Sequence, residues 1–391
     1  MTTTYPLSPQ DTQPRFVEYL SANLASTHQV TVLAPAIQGD KGDAIKVKCL
    51  EVIRFRYFFS RYEMLCGGDG ILENLKRSKL LVLLIPFMIM SQLLYAIWIC
   101  HKQKIDVIHA HWILPQGLIA LITSLILGRK IKILVTSHGG DLFALRGSLA
   151  STLKMYVIKH SHHVTVVSEA MKSFCINQWG IRESKISVGP MGVNLKHTFK
   201  PHGLKQNNKL VFVGRLAEKK GLGVLIKALK LVGDRSVNFD ADIIGGGANL
   251  ASYESQVARS GLQSSIHFKG ALNNKEVVAY LQLASVAVFP FVVASDGDQE
   301  GLGLTMVEAM GCECVTIASN LPAVRDVIDD NWNGYLVEPS DPLALADKIE
   351  QVLKGDFNRD ALVKNARQSV LEKFDWSKVG KTYSQLIENL V

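Results

Sequence analysis

The segment Ser285-Val-Ala-Val-Phe-Pro290, the polar stretch Ala294-Ser-Asp-Gly-Asp-Gln299 and then Glu300-Gly-Leu-Gly-Leu-Thr-Met-Val-Glu308-Ala-Met310 together decide the fold. An apolar run, a turn-rich loop and an apolar pattern opened by glycines read as strand, loop and helix. Gly301 and Gly303 let the backbone approach a ligand closely. The helix predicted from about Leu304 offers unpaired N–H groups to an anion. Glu300 and Glu308 have seven residues between them. If that segment is helical, eight steps of ~1.5 Å set the carboxylates about 12 Å apart, the order of length of a nucleotide sugar. One would then reach a hexose and the other a ribose. Two surface glutamates flanking an ordinary strand-loop-helix unit fit the same residues.

A second signal is Gly214-Arg215-Leu-Ala-Glu-Lys219-Lys220-Gly221, directly after the apolar run Leu210–Val213. Arg215 and Lys220 bracket a turn that opens a helix, a natural clamp for a diphosphate. At ~4 Å a pair of unit charges is worth roughly 1 kcal/mol in water and about 4 kcal/mol in a partly closed cleft. Two cations and a helix terminus therefore suffice to stabilise a leaving nucleoside diphosphate without a metal. A solvated basic helix start is the bland alternative. Gly245-Gly-Gly247 is a weaker signal, more typical of a structural turn.

The same alternation runs outward through the chain. Strands are predicted at Val30–Ala34, Val107–Ala110, Ile133–Ser137 and Val164–Ser168, then at Leu210–Gly214, Asp242–Gly245, Ser285–Pro290 and Glu313–Ala318. Strands alternating with helices imply parallel sheets with right-handed crossovers. The 391 residues suit two domains. The polar stretch Lys196–Lys209 is the expected linker. Residues 1–200 form the first, acceptor-side domain and 201–374 the second, nucleotide-sugar-binding one, with the helix at about 375–391 packing back on the first.

Charge is shared unevenly. Residues 1–200 carry 23 Lys and Arg against 12 Asp and Glu, net +11, whereas residues 201–391 carry 20 against 23, net −3. A basic half suits a polyanionic neighbour, an anionic lipid surface or nucleic acid, and no basic stretch interleaved with aromatics supports nucleic acid. A solvated basic face is the alternative. Leu80–Cys100 is interrupted only by Pro86, Ser91 and Gln92 and is long enough to span a bilayer. A span is rejected: the strands on either side of it must join one sheet in one compartment, and Lys and Arg flank both ends. A helix docked partly on the sheet and partly in a membrane interface is expected, with a fully buried core helix as the alternative. The six cysteines show no CxxC or metal-ligand spacing and read as thiols in a reducing compartment. Met1-Thr-Thr-Thr-Tyr5 has neither the basic nor the apolar part of a secretory signal.

Taken together, these residues resemble the retaining glycosyltransferases of family 4, whose GT-B architecture is two Rossmann-like, doubly wound parallel-sheet α/β domains facing a cleft. Three further segments carry the likeness: Asp106-Val-Ile-His-Ala-His-Trp-Ile-Leu-Pro-Gln-Gly117, Thr136-Ser-His-Gly-Gly-Asp141 and Gly189-Pro-Met-Gly-Val-Asn194. The resemblance implies Glu300 against the donor sugar, Glu308 on the ribose hydroxyls and Arg215 and Lys220 on the diphosphate. It also implies that backbone amides of Gly301, Leu302, Gly303, Leu304 and Thr305 line the sugar and phosphates. His138, at the carboxyl end of a strand where open α/β sheets bind ligands, would reach the reacting centre as a second catalytic residue. His109 and His111 read as structural, and Asp141 as a candidate for orienting an acceptor hydroxyl.

The implied activity is retaining, metal-independent hexosyl transfer from a nucleotide-diphosphate sugar to a glycan or lipid-linked acceptor, in cell-surface polysaccharide synthesis. No cofactor and no metal are expected, and Asp296-Gly-Asp298 reads as a cleft edge. The expected location is the cytoplasmic face of the inner membrane, as a peripheral protein. A GT-B sugar-nucleotide epimerase, a phosphorylase and a non-catalytic donor-binding protein are the rivals. The chain departs from the family at Asn194, where Asp is usual, and in the first loop, Ser8–Arg15, which lacks a Gly-Gly pair. It departs also at its start: only Met1–Thr4 precede the Tyr5-Pro6 turn, too short for the central first strand of such a sheet. Unpaired backbone groups between Val30–Ala34 and Val107–Ala110, and a true start upstream, are therefore expected.

Overall fold

In the computed structural model, which describes residues 1–8, 11, 13–40, 45–68, 70–128, 130–143, 147–355 and 357–391, the chain divides into two compact units. The first holds Met1–Gly192 and Trp376–Val391, the second Val193–Asp375. All eight predicted strands form, with five more besides.

In the first unit, β1 (Val30–Pro35), β2 (Ile45–Val47) and β3 (Leu50–Phe55) make a three-stranded sheet in the order β1-β3-β2. Strands β4 (Val107–His111), β5 (Lys132–Ser137), β6 (His163–Val166) and β7 (Ile186–Val188) make a parallel sheet of four. The expectation of one sheet therefore fails, because no strand lies between β1 and β4. Met1 and Thr2 occupy that place instead. The Thr2 N–H donates to the Leu33 carbonyl (3.1 Å) and the His111 N–H to the Met1 carbonyl (3.0 Å), while the Met1 ammonium donates to the His109 carbonyl (2.7 Å). Part of the backbone expected to be orphaned is thus paired. A cavity of about 610 Å³ lies alongside, lined by both strands and by Leu20, Ala96, Ile99 and Cys100.

Three helices of this unit matter below: α1 (Phe16–Leu24), α2 (Ile85–Gln103) and α3 (Leu118–Leu127). Helix α2 follows a 3-10 turn at Lys79–Leu84 and buries Met88, Gln92, Ala96, Ile99 and Cys100, a stripe at helical spacing. Met88, Ala96 and Ile99 share one apolar cluster with Leu33, Phe55 and Leu65. The C-terminal helix Trp376–Glu388 belongs to this unit. Its Tyr383 hydroxyl donates to the Gly189 carbonyl at 2.6 Å.

The second unit is one six-stranded parallel sheet: β8 (Gln206–Val213), β9 (Asp240–Ile244), β10 (Ile266–Gly270), β11 (Ala284–Phe289), β12 (Val315–Ser319) and β13 (Tyr335–Val337), in the order β10-β9-β8-β11-β12-β13. Counted within the unit, that order is 3-2-1-4-5-6, the doubly wound arrangement. Every residue of β11 is buried, as a central parallel strand covered on both faces requires. Helix α4 (Leu222–Asp234) seals the β8 side with Leu222, Leu225, Ile226, Leu229 and Val232, each worth about 1.5–3 kcal/mol of burial. The expected linker Lys196–Lys209 is displaced: the units change over at Gly192/Val193, and β8 already begins at Gln206. The polar Gln206-Asn-Asn-Lys209 start of that strand hid it, since its outward residues alternate with nothing apolar. Asn194 builds a turn, its Oδ1 accepting from the His197 N–H at 3.1 Å.

Candidate active site

The order of the second sheet reverses between β8 and β11, so the connections from their carboxyl ends depart in opposite directions and leave a crevice. The loop Gly214–Gly221 leaves β8 and the loop Pro290–Gly303 leaves β11. Several bonds knit the two. The Val292 N–H donates to the Lys219 carbonyl (2.9 Å), and Glu218 accepts from both the Ser295 N–H (3.0 Å) and its hydroxyl (2.8 Å). The Lys219 ammonium lies 3.0 Å from Asp298 Oδ2 and donates to the Gln299 carbonyl at 3.3 Å. Gly221 makes this closeness possible. It has φ +70°, and a Cβ there would sit 1.7 Å from the Pro290 carbonyl oxygen.

Lys220 and Glu300 meet at the centre, Nζ to Oε2, at 2.5 Å, with side chains 12% and 13% exposed. Lys220 Nζ also lies 4.9 Å from the Phe291 ring centroid. Burial alone would push the Glu300 carboxyl up, but Lys220, Lys219 and Arg215 outweigh it and hold it down at about 2. Burial pulls the Lys220 ammonium below its ordinary value, against the attraction of Glu300. Arg215 is exposed beside this pair.

Helix α5 (Leu304–Gly311) opens on Gly303, which has φ +85° and no side chain to cap the terminus. The Met306 N–H turns back to the Gly303 carbonyl at 2.9 Å, which leaves the N–H groups of Leu304 and Thr305 for a ligand. Thr305 adds a hydroxyl, buried and without a hydrogen-bond partner among the described residues. Glu308 lies one turn further on. Burial pushes its carboxyl up to about 8, with Lys220 pulling only weakly the other way. The residues between Glu300 and Gly303 are not helical, so the spacing of about 12 Å expected for a continuous helix does not apply.

His138 lies in the first unit, at the end of β5. It stacks on His111 with ring centroids 5.3 Å apart and packs on Phe16 and Trp112. His111 Nδ1 and His138 Nε2 are 3.1 Å apart. Burial lowers the His138 imidazole to about 3, so it is neutral at physiological pH. Asp141 braces the loop rather than facing outward. It accepts from the Ile113 N–H (2.7 Å), the Ser137 hydroxyl (2.9 Å) and the His138 N–H (3.1 Å), which answers its candidacy for orienting an acceptor. His109 is structural as expected, 2.7 Å from the Thr136 hydroxyl and stacked on Tyr383. Pro9, Gln10 and Thr12 of the first loop lie outside the described residues.

Two family models meet end to end on this chain: Glycosyltransferase Family 4 matches residues 13–197 and Glycosyl transferases group 1 matches residues 196–369. The chain belongs to the group 1 glycosyltransferases. This glycosyltransferase is 28% identical over 295 residues to an uncharacterised glycosyltransferase of Methanocaldococcus jannaschii, covering 74% of this chain and 78% of that one. It is 25% identical over 327 residues to the capsular polysaccharide biosynthesis glycosyltransferase CapM of Staphylococcus aureus, covering 76% and 82%. Its fold is that of the sucrose-phosphate synthase of Thermosynechococcus elongatus (TM-score 0.78, 22% identity, 96% and 92% covered). It is also that of Anabaena HepE in complex with UDP and glucose (TM-score 0.74, 16% identity, 97% and 98% covered). The fold is therefore GT-B, two Rossmann-like domains.

In the glycosyltransferase, Arg215, Lys220, Glu300, Gly301 to Thr305 and Glu308 fall in one unit around the switch point, and His138 falls in the other. The Lys219–Asp298 brace and the Phe291 ring beside Lys220 were missed in the sequence. The adjacent Lys-Lys pair was the available signal, because only one of two neighbouring side chains can face the site. Asp298 is engaged by Lys219, and Asp296 Oδ1 accepts from the Asp298 N–H at 2.9 Å, so the cleft-edge loop is an internally tied turn. Gly245 serves packing: a Cβ there would lie 1.8 Å from the Gly214 carbonyl oxygen.

Proposed function

We propose that this glycosyltransferase moves a hexose, with retention at the anomeric carbon, from a nucleoside-diphosphate sugar to a glycan or lipid-linked acceptor in cell-surface polysaccharide synthesis. The observation that carries the reading is the Lys220–Glu300 pair, set at the switch point beside the uncapped start of α5. Cleaving the anomeric bond builds positive charge on the sugar and negative charge on the departing diphosphate. Lys220, Arg215 and the α5 terminus answer the negative charge. Glu300, ionised at any physiological pH, answers the positive one. Both are fixed before reaction, so little reorganisation is needed when the charges appear. Glu308, protonated near neutrality in the free protein, is assigned to the ribose hydroxyls, and His138 to the reacting sugar.

These charges are the chain's own, which supports metal-independent transfer. The UDP and glucose of the HepE complex support a uridine-diphosphate hexose as the first donor to try, and the name of CapM supports a polysaccharide acceptor. Six free cysteines, five of them buried, fit a reducing compartment and hence work on the cytoplasmic side. The test is a thermal-shift screen of UDP- and GDP-sugars, followed by transfer from the stabilising donor and assignment of the anomeric configuration in the product. A product of inverted configuration, or an epimerised nucleotide in place of transfer, would refute the reading.

A further inference from the structure

Helix α2 is apolar on both faces, and among the described residues only one of them is packed into a core. The inner stripe, Met88, Gln92, Ala96 and Ile99, is buried in the first unit. The outer stripe, Phe87, Met90, Leu94 and Trp98, is also at helical spacing and is 53%, 57%, 59% and 50% exposed. The preceding turn adds Leu80 and Leu83, also exposed. Of the apolar window spanning this segment only 17% is buried. The outer stripe is continued by a second segment: the Phe58 ring lies 5.4 Å from Phe87, 5.2 Å from Phe59 and 6.2 Å from Tyr62, and Phe59 and Tyr62 are themselves exposed. An exposed apolar patch of this extent marks an interaction surface.

The rim says what it meets. Between Asn74 and Ile105 there is no Asp or Glu, while Lys76, Arg77, Lys79, Lys102 and Lys104 are all present. Cations close both ends in contact with aromatic rings. The Arg61 guanidinium sits 4.7 Å over Tyr62, and Lys102 Nζ 4.9 Å over Trp98. Amphipathic aromatics beside snorkelling cations, around an apolar centre, are the signature of the headgroup boundary of a bilayer. A second copy of the chain fits poorly, because a two-fold contact across this face would oppose like charges.

We propose that the outer face of α2, with the Phe58–Tyr62 aromatic cluster, is the surface on which this protein docks onto an anionic membrane. The helix lies in the plane of the interface rather than across it, because its other face is committed to the Leu33–Phe55 core. The face belongs to the first unit and the donor residues to the second, so the proposal stands whether or not the donor reading does.

Co-sedimentation of the full chain with extruded vesicles tests it, using phosphatidylcholine alone and phosphatidylcholine mixed with phosphatidylglycerol. The protein is expected to pellet with the anionic vesicles and to be released by salt. Phe87→Glu/Leu94→Glu should lower the bound fraction about tenfold, the loss of apolar insertion, with melting temperature and nucleotide binding unchanged because both side chains face outward. Lys79→Glu/Lys102→Glu should weaken binding to the anionic vesicles and leave the uncharged ones unaffected. Three outcomes would overturn the proposal. They are a wild type absent from the pellet with either vesicle, a Phe87/Leu94 variant that pellets like the wild type, and a wild-type dimer that this variant separates.

Discussion

Lys220 and Glu300, eighty residues apart in the chain, close an ion pair of 2.5 Å between the loops that leave the two central strands of the second sheet. Each is the other's main electrostatic partner. In the free protein, the cation assigned to the diphosphate is thus held by the carboxylate assigned to the sugar. A donor that binds here must share Lys220 with Glu300, which ties phosphate contact to the position of the sugar-facing carboxylate.

Glu300→Gln should keep the fold and most donor affinity and lower turnover by at least about 100-fold, the scale of losing one preorganised electrostatic group. It should also lower the melting temperature, since a buried ammonium loses its counter-charge. The stability supplied by ionised Glu300 has a defined window. Its folded pKa of about 2 lies below the ordinary 4.5, so that contribution is complete above pH 4.5 and is lost as pH falls towards 2. Steady-state kinetics with a soluble acceptor and melting curves from pH 7 downward read both effects, and unchanged turnover would remove Glu300 from the chemistry.

Lys220→Ala should act on binding more than on the chemical step. Affinity for free UDP or GDP should fall, and the wild-type affinity should itself weaken as salt is raised, because exposed Arg215 shares the Coulombic work. Calorimetric titration of nucleoside diphosphate at low and high salt gives both numbers. An affinity equal to that of the wild type at both salt concentrations would show that the diphosphate binds elsewhere.

Much of this site was legible in the sequence because the catalytic domain announces itself locally. The strand, loop and helix around Glu300 and the strand and turn around Lys220 each sit in one continuous stretch, and periodicity with glycine placement reads such stretches well. What escaped was set by distant partners. Nothing adjacent to Lys219 says that it turns towards Asp298 while Lys220 turns towards Glu300. Asp141 looked available because its acceptors are filled by the backbone of Ile113 and the hydroxyl of Ser137, groups whose direction only the fold fixes. The first unit was read in part for a related reason. Strand patterns reveal which segments extend, not which edges meet: the gap between β1 and β4 was legible from the short start, but not that Met1 and Thr2 would pair across part of it beside a cavity.

Transfer should persist in excess EDTA. The cations assigned to the diphosphate are side chains, and Asp298 on the neighbouring loop is already paired with Lys219. Activity measured with and without EDTA, then with Mg²⁺ or Mn²⁺ restored, checks this. Full loss in EDTA with recovery on adding either ion would make Asp296 and Asp298 metal ligands and overturn the clamp.

Glu308 should have a pH signature opposite to that of Glu300. Burial raises its carboxyl from the ordinary 4.5 to about 8 in the folded protein. Between those values the unfolded chain has released a proton that the native state still holds, so the unfolded state binds fewer protons and stability must fall as pH rises. The loss begins near pH 4.5 and is complete above about 8. Glu308→Gln removes the titration while keeping the shape and the neutral state. Its melting temperature should therefore match that of the wild type near pH 4 and exceed it at pH 9, with the gap opening steadily between. Nucleotide binding separates this from mere stabilisation: if Glu308 holds the ribose hydroxyls, the variant should bind a nucleoside diphosphate more weakly even where it is the more stable protein. Equal affinity at pH 9 with a higher melting temperature would leave Glu308 a buried acid with no part in donor recognition.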